Sequence, residues 1–336
     1  MTISRSSRFV RFGALALAAG VLAACGSSSD DDGDSAGAFT YTDDLGVEIS
    51  LDEMPERLVV QSSMAAALTD LGLGDKIVGV FGPLRNAEGE PDSQVAGLDI
   101  ESVEDVTDDS VYGNIKVEDL AELDPDLIVT SAYLDDDLWY INDATAETLR
   151  KQYQILTVSF DGKTLTEMLD STEKAAEALG ADLDADEVTQ AREDFEASSA
   201  AVEAAGAAME GQNVLVGSAA PETFYVSNPE VSPDLNYWRT ELGLPLTVPD
   251  NPDAGGYFES LSWENADKYP ADVFLWDDRI GQAGLDQMKQ QPVFAELEAA
   301  QNDAFIAWTS VAPPSYRAYA DIQNKLAEDL EALTAG

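Results

Sequence analysis

Two segments of the chain share one pattern, and this pattern constrains the fold more than any other feature. Residues 117–130, VEDLAELDPDLIVT, and residues 262–276, SWENADKYPADVFLW, each predict a short helix, a proline that ends it and a buried strand. In both segments a glutamate near the helix start precedes an aspartate by eight residues, the pairs being Glu118 with Asp126 and Glu264 with Asp272. We interpret the segments as one module used once in each of two similar lobes. The alternative is a chance match, because such corners are common in α/β proteins.

The chain has 336 residues, which is enough for two domains with separate cores. Its 18 Lys and Arg face 65 Asp and Glu, so no basic patch can displace counterions from phosphates, and we expect no nucleic-acid binding. The chain contains no His, and Cys25 is its only Cys. These counts exclude disulfides within the chain, His–Cys zinc sites, Ser-His-Asp triads and Cys-His dyads. A metal site built from carboxylates alone stays open.

The first 24 residues have the pattern of a targeting segment. Arg5, Arg8 and Arg11 precede an apolar run over residues 13–24 that is too short to span a bilayer. The run ends in LAAC, which resembles a bacterial lipobox and predicts a lipidated Cys25 at the mature N-terminus. Residues 1–24 are then a lipoprotein signal peptide, and acyl chains on Cys25 anchor the protein to the outer face of the cell membrane. The alternative is an ordinary secretory cleavage site with an incidental cysteine.

The rest of the chain predicts a tether and two α/β lobes with mainly parallel sheets. Residues 25–38 are polar and acidic, as in a flexible tether. Alternating strand and helix patterns favour an N-terminal lobe over residues 39–184 and a C-terminal lobe over residues 211–336. A long helix over residues 185–210 has apolar residues one heptad apart, and we interpret it as the connection between Rossmann-like lobes. A coiled coil with a partner is the alternative. The heptad positions are Val188, Phe195, Val202 and Met209.

Taken together, several segments resemble the substrate-binding proteins of ABC importers for ferric siderophores, haem and cobalamin. The most specific is IKVEDLAELDPDLIV at residues 115–129, with LSWENADKYPADVFL at residues 261–275 as its counterpart. DDLGVEISLDEMPERLVV resembles the family's opening hairpin and first strand, and PVFAELEAAQNDAFIAW resembles its closing segment. The resemblance covers about residues 39 to 333. It implies two lobes joined by one long helix, a ligand cleft between them and a carrier role without catalysis.

The resemblance also implies one permease-docking glutamate in each lobe. By motif these are Glu118 and Glu264, which would meet Arg residues of an ABC permease. The alternative is an exposed glutamate that the positive N-terminal end of its own helix stabilises.

In open α/β sheets a ligand binds beyond the carboxyl ends of the strands, and that rule selects candidate binding residues here. Arginine offers planar donors to chelate oxygens, while tryptophan and tyrosine cover the apolar rim of a chelate. Each arginine can instead pair with one of the many acids, and each aromatic residue can instead pack in a core. The candidates are Arg85, Tyr133, Trp139, Tyr140, Tyr225, Trp276 and Arg279 after strands, with Trp238 and Arg239 on a helix near the same rim.

We expect the ligand to be a ferric siderophore. A strongly negative protein repels trianionic tris-catecholates, so a neutral or cationic tris-hydroxamate is favoured, although salt outside the cell screens this preference. The acidity can also reflect a high-salt habitat. Iron would stay inside its chelator, so we expect no protein cofactor or metal site, and we expect a monomer. The alternatives are haem or cobalamin as ligand, a secreted hydrolase that uses paired carboxylates, and an adhesin on the same fold.

Overall fold

The structure is a computed structural model that describes residues 38–334. The predicted signal peptide, Cys25 and nearly all of the predicted tether lie outside the described residues. The strands are β1 (Phe39–Thr42), β2 (Glu48–Leu51), β3 (Leu58–Gln61), β4 (Ile77–Phe81), β5 (Glu104–Asp105), β6 (Thr107–Asp108), β7 (Asn114–Ile115), β8 (Leu127–Ala132), β9 (Ile155–Ser159), β10 (Val214–Ala220), β11 (Thr223–Ser227), β12 (Phe258–Leu261), β13 (Val273–Asp277) and β14 (Phe305–Trp308). The α-helices are α1 (Ser62–Asp70), α2 (Val117–Glu122), α3 (Asp143–Leu149), α4 (Leu165–Ala178), α5 (Asp186–Ala207), α6 (Pro233–Thr240), α7 (Gly281–Lys289), α8 (Glu298–Gln301) and α9 (Tyr316–Thr334).

The N-terminal lobe is built on a five-stranded sheet in the order β5-β4-β3-β8-β9, and every pairing in it is parallel. All residues of its central strands β3 and β8 are buried, as expected for a parallel sheet covered on both faces. Met64 of α1 and Leu169 of α4 pack on one face, and Leu120 of α2 and Leu149 of α3 pack on the other.

The C-terminal lobe is built on a second five-stranded sheet in the order β12-β11-β10-β13-β14. Strands β10, β13 and β14 are parallel, but β11 and β12 run antiparallel to their neighbours. The sheet is mixed because Pro221 and Glu222 turn the chain directly from β10 back into β11, and so short a connection can join only antiparallel strands.

Helix α5 crosses from one lobe to the other, which confirms the predicted connection. Val188 and Phe195 are buried in the core of the N-terminal lobe, while Val202 is buried in the core of the C-terminal lobe, as is Met209 just beyond the end of the helix. The helix has 22 residues, or about 33 Å at 1.5 Å per residue. The sequence did not indicate that α9 packs along α5, with Gln323 accepting hydrogen bonds from two serines of α5. The connection is therefore a helix pair.

The repeated module differs between the lobes. In the N-terminal lobe the predicted helix forms as α2, with Pro125 between it and β8. In the C-terminal lobe the predicted helix is wrong, because only a single 3-10 turn forms, Trp263–Asn265, before Pro270 and β13. The strand and the aspartate before it are retained in both lobes.

Candidate ligand-binding site

A cavity of about 220 Å³ lies between the lobes. Tyr133 follows β8 directly, Arg279 lies two residues beyond β13, and Ser310 lies two residues beyond β14. The cavity therefore lies where ligands bind in open α/β sheets, beyond the carboxyl ends of the strands. Its lining residues are Tyr133, Leu134, Trp139, Met168, Ser232, Pro233, Asp234, Tyr257, Phe258, Arg279, Trp308, Ser310, Val311 and Tyr319.

The loop after β8 forms the aromatic wall of the N-terminal lobe. The backbone N–H of Trp139 donates to the carbonyl of Ser131 at 2.8 Å, and the hydroxyl of Thr130 donates to the carbonyl of Trp139 at 2.9 Å. These bonds fold the loop back onto its strand, so that the rings of Tyr133 and Trp139 lie 4.9 Å apart between centroids. Both rings also line an adjacent cavity of about 310 Å³. The wall is a broad aromatic surface of the kind that covers an apolar ligand face.

Arg279 is held in place by a buried carboxylate. Its Nε donates to Oδ1 of Asp277 at 2.9 Å and its Nη2 donates to Oδ2 at 2.6 Å. Asp277 is 1% exposed and also accepts from the hydroxyl of Ser310 at 2.9 Å. Among the described contacts Nη1 of Arg279 has no partner, so it can donate to an acceptor oxygen of a ligand in the cavity.

Asp234 lies in the first turn of α6 and is 4% exposed. Its Oδ2 accepts from Nε1 of Trp308 at 2.7 Å, and its Oδ1 accepts from the backbone N–H of Leu235 at 2.8 Å. Burial raises the pKa of Asp234 to about 6, so the group is mainly ionised at neutral pH. Asp234 is therefore the one acidic residue among those that line the cavity, since Asp277 holds Arg279 without lining the cavity itself.

Tyr257 joins the two lobes across the cavity. Its hydroxyl donates to the backbone carbonyl of Tyr133 at 3.0 Å, and its ring lines the cavity beside Phe258. Burial raises the pKa of Tyr257 to about 12 and also raises the pKa of Tyr133 and Tyr319 well above the ordinary value for tyrosine. At neutral pH these phenols are thus protonated hydrogen-bond donors.

Of the predicted binding residues, Tyr133, Trp139 and Arg279 line this cavity. Tyr140 lies beside it, with its ring 5.5 Å from Trp139 and a left-handed backbone φ of 58°. Arg85 lines a separate cavity with Arg279 and forms an ion pair with Glu101. Arg85 therefore lines that neighbouring space and is not among the residues that line the inter-lobe cavity.

The other predicted residues lie away from the cavity. Trp238 is 1% exposed in the core of the C-terminal lobe, so its prediction as a ligand contact is corrected. Trp276 is partly buried and packs against the same core. Tyr225 does not line the cavity, although its ring lies 5.9 Å from that of the lining residue Phe258. Arg239, in the last turn of α6, is half-buried and takes part in none of the ion pairs of residues 38–334.

The two predicted docking glutamates are exposed, one in each lobe. Glu118 lies in the first turn of α2, and Glu264 lies in the 3-10 turn that replaces the helix of the second module. Hydrogen bonds from its own backbone and from Ser262 lower the pKa of Glu264.

Sequence reasoning missed several residues of the cavity. Ser310 could have been found, because it follows the apolar residues of β14 and the strand-end rule applies to it equally. Asp234 and Tyr319 lie on helices that reach the cavity only through packing between the lobes, and the sequence shows no such contact. Tyr257 lies in the loop before β12. The sequence of this loop has no motif that indicates ligand binding, apart from its paired glycines.

Within residues 38–334 no group of three or more acidic, Cys or His side chains is arranged to hold a metal ion. None of the described helices combines the length and the apolar character needed to cross a bilayer.

Comparisons with known proteins agree with this architecture. A family model described as periplasmic binding protein matches residues 58–312. The ferric-siderophore receptor protein DesE of Streptomyces coelicolor is 35% identical, with a TM-score of 0.79 over 87% of this chain and 98% of that one. The petrobactin-binding protein YclQ of Bacillus subtilis is 20% identical, with a TM-score of 0.64 over 88% and 99% of the two chains, and shows the fold alone. A comparison with curated proteins finds no match.

Proposed function

Because the chain belongs to the periplasmic binding protein family, we propose that it is an extracytoplasmic receptor for a ferric siderophore. In this proposal it delivers the chelate to an ABC permease and carries out no chemistry on it. The solved structure with 35% identity is that of a ferric-siderophore receptor, which supports this ligand class. We further propose that acyl chains on Cys25 anchor the protein to the outer face of the membrane and that it acts as a monomer.

The inter-lobe cavity combines hydrogen-bond donors with aromatic walls, and this combination supports the proposal. Arg279 offers a guanidinium N–H, and Tyr133 and Tyr319 offer protonated hydroxyls beside it. A ferric chelate has a shell of anionic oxygens around the metal and an apolar periphery. Such a ligand matches donors that face the oxygens and rings that cover the periphery.

Within this class we propose a tris-hydroxamate chelate. A ferric tris-hydroxamate centre is neutral, whereas a ferric tris-catecholate centre carries three negative charges. The cavity holds only Arg279 as a cation, and that cation is already paired with Asp277. A trianion would therefore enter without compensation and beside the buried carboxylate of Asp234, which is unfavourable.

The two glutamates support docking to a permease. Glu118 and Glu264 are exposed and occupy corresponding positions in the repeated module of the two lobes. A permease with a matched pair of basic pockets would bind both at once, and electrostatic complementarity would orient the receptor.

The test is a titration of the purified protein with four ligands, followed by tryptophan fluorescence. The ligands are a ferric tris-hydroxamate, a ferric tris-catecholate, haem and cobalamin. We expect submicromolar quenching by the tris-hydroxamate, because Trp139 and Trp308 both line the cavity. Binding of haem or cobalamin instead would reassign the ligand, and flat titrations with all four would reject the proposed function.

A further inference from the structure

The charges of the residues that line the inter-lobe cavity also indicate which charge the bound chelate carries. Arg279 and Asp277 neutralise each other through two short hydrogen bonds. Asp234 takes part in none of the ion pairs found in residues 38–334. It lies in the first turn of α6, where the helix end stabilises an anion in part but leaves the carboxylate without a counterion. The lining therefore presents one unmatched negative charge.

A structural role does not by itself account for an ionisable group at this position. Asp234 accepts one hydrogen bond from Trp308 and one from Leu235, and a neutral asparagine could accept the bond from the indole equally well. A carboxylate that is 4% exposed pays a desolvation penalty that an amide does not. The charge of Asp234 therefore has a cost that these hydrogen bonds do not require, and a buried ionisable group beside a ligand cavity is a candidate for a role in binding.

The surroundings of Asp234 are those of a site for a primary ammonium group. A carboxylate has about four acceptor positions, and the two hydrogen bonds to Asp234 leave about two of them free. The rings of Trp308, Tyr319 and Tyr133 line the same cavity, and aromatic faces attract organic cations. A buried anion combined with aromatic walls is a chemistry that selects an alkylammonium over a neutral group of similar size.

We propose that Asp234 binds a primary ammonium group on the chelate and thereby selects cationic ferric chelates over neutral ones. The inference rests on the proposed function, since it names a second point of recognition on the same ligand. In this arrangement Arg279 and the tyrosine hydroxyls contact the oxygens around the metal, while Asp234 contacts a pendant amine.

The test compares two ferric tris-hydroxamates that differ only in one group. One carries a terminal primary amine, and the other carries the same amine N-acetylated, so that its charge is removed. We expect the wild-type protein to bind the ammonium form at least about tenfold more tightly, which corresponds to about 1.4 kcal/mol. This comparison needs no variant, and equal affinities for the two chelates would overturn the inference while leaving the proposed function intact.

Two variants assign the preference to Asp234. Asp234→Asn keeps an acceptor for the indole of Trp308 and removes the charge, so we expect the two chelates to bind it equally. Asp267→Asn removes the same charge from an exposed position of the C-terminal lobe and should keep the wild-type preference. A preference that persists in Asp234→Asn would overturn the assignment. Failure of the wild-type protein to bind either chelate would overturn the proposed function itself.

Discussion

Asp126 and Asp272 make the same contact in the two lobes. Oδ2 of Asp126 accepts from the backbone N–H groups of Glu56 and Arg57 at 2.8 and 2.9 Å, just before β3. Oδ2 of Asp272 accepts from the backbone N–H of Asn213 at 2.6 Å, just before β10. In both cases the aspartate N–H donates in return to the carbonyl of Arg57 or Asn213 at 2.9 Å. Each aspartate therefore ties the start of one central strand to its parallel neighbour, and the module is duplicated in geometry as well as in sequence.

This contact predicts unequal losses of stability. Asp272→Ala should lower the free energy of unfolding by about 2 kcal/mol, because it leaves half-buried donors unpaired, whereas the more exposed Asp126→Ala should lower it by about 1 kcal/mol. Urea unfolding measures both values. Asp119→Ala and Asp267→Ala remove exposed aspartates near the same corners and should change stability by less than about 0.5 kcal/mol. If Asp126→Ala and Asp272→Ala lower the free energy of unfolding by no more than the controls do, these aspartate contacts do not stabilise the strands.

Arg279→Lys should weaken binding of a ferric tris-hydroxamate by about tenfold. Lysine keeps the positive charge but lacks the planar fork that contacts Asp277 and the ligand together. Isothermal titration measures the affinity. The matched control is Arg239→Lys, which makes the same change at an arginine outside the cavity and should alter the affinity by less than about twofold. If the two substitutions change the affinity equally, Arg279 does not contact the ligand.

Tyr257→Phe removes the hydroxyl that joins the lobes at the carbonyl of Tyr133. We expect the unliganded protein to lose about 1 kcal/mol of stability, the usual net value of one such hydrogen bond. Thermal and urea unfolding measure the loss. Tyr225→Phe removes a hydroxyl that makes no hydrogen bond within residues 38–334 and should have no measurable effect. If both variants unfold like wild type, the bond between the lobes does not contribute to stability.

The buried carboxylate of Asp234 predicts a pH-dependent stability. Folding raises its pKa from 3.8 to about 6, so the native state binds a proton more readily than the unfolded state between these values. Asp234 therefore destabilises the native state above about pH 6, and this penalty is relieved as the pH falls toward 4. Asp234→Asn should thus be more stable than wild type at pH 8, by about 1 to 3 kcal/mol, and the difference should shrink by pH 4. A difference that stays constant between pH 4 and pH 8 would show that the charge of Asp234 carries no penalty.

If Glu118 and Glu264 dock the receptor to a permease, their loss should affect iron uptake but not chelate binding. Replacing Glu118 and Glu264 with alanine should leave chelate affinity unchanged, because neither residue lines the cavity, and should lower iron uptake by cells several-fold. The control is the pair Glu177→Ala and Glu328→Ala, which removes two exposed glutamates on α4 and α9. Uptake that falls equally in both double variants, or chelate binding that falls in the first, would contradict docking through the module.

The strand ends explain which parts of the site the sequence could predict. Tyr133 and Arg279 come close after apolar strands, so the chain order alone places them at the edge where ligands bind. The prediction for Trp238 was wrong because the sequence does not show how far along a helix the cavity extends. Asp234 and Trp238 lie one turn apart on the same side of α6, but Asp234 lines the cavity while Trp238 packs in the core of the C-terminal lobe.

The sequence predicted the fold better than the binding site, because the spacing of apolar residues in helices and strands directly indicates which side chains are buried. The heptad stripe predicted a helix that connects the lobes, and in the structure α5 has Val188 in one core and Val202 in the other. Two features depend on contacts distant in sequence and were not predictable from local pattern. These are the packing of α9 along α5 and the shortening of the second module's helix to one turn.

The most direct measurement is the position of iron in a crystal of the protein grown with a ferric tris-hydroxamate. An anomalous difference map locates the metal without reference to the ligand's shape. We predict one peak in the inter-lobe cavity, between Tyr133 of the N-terminal lobe and Arg279 of the C-terminal lobe. A peak elsewhere on the protein, or an empty cavity at saturating chelate, would contradict the account.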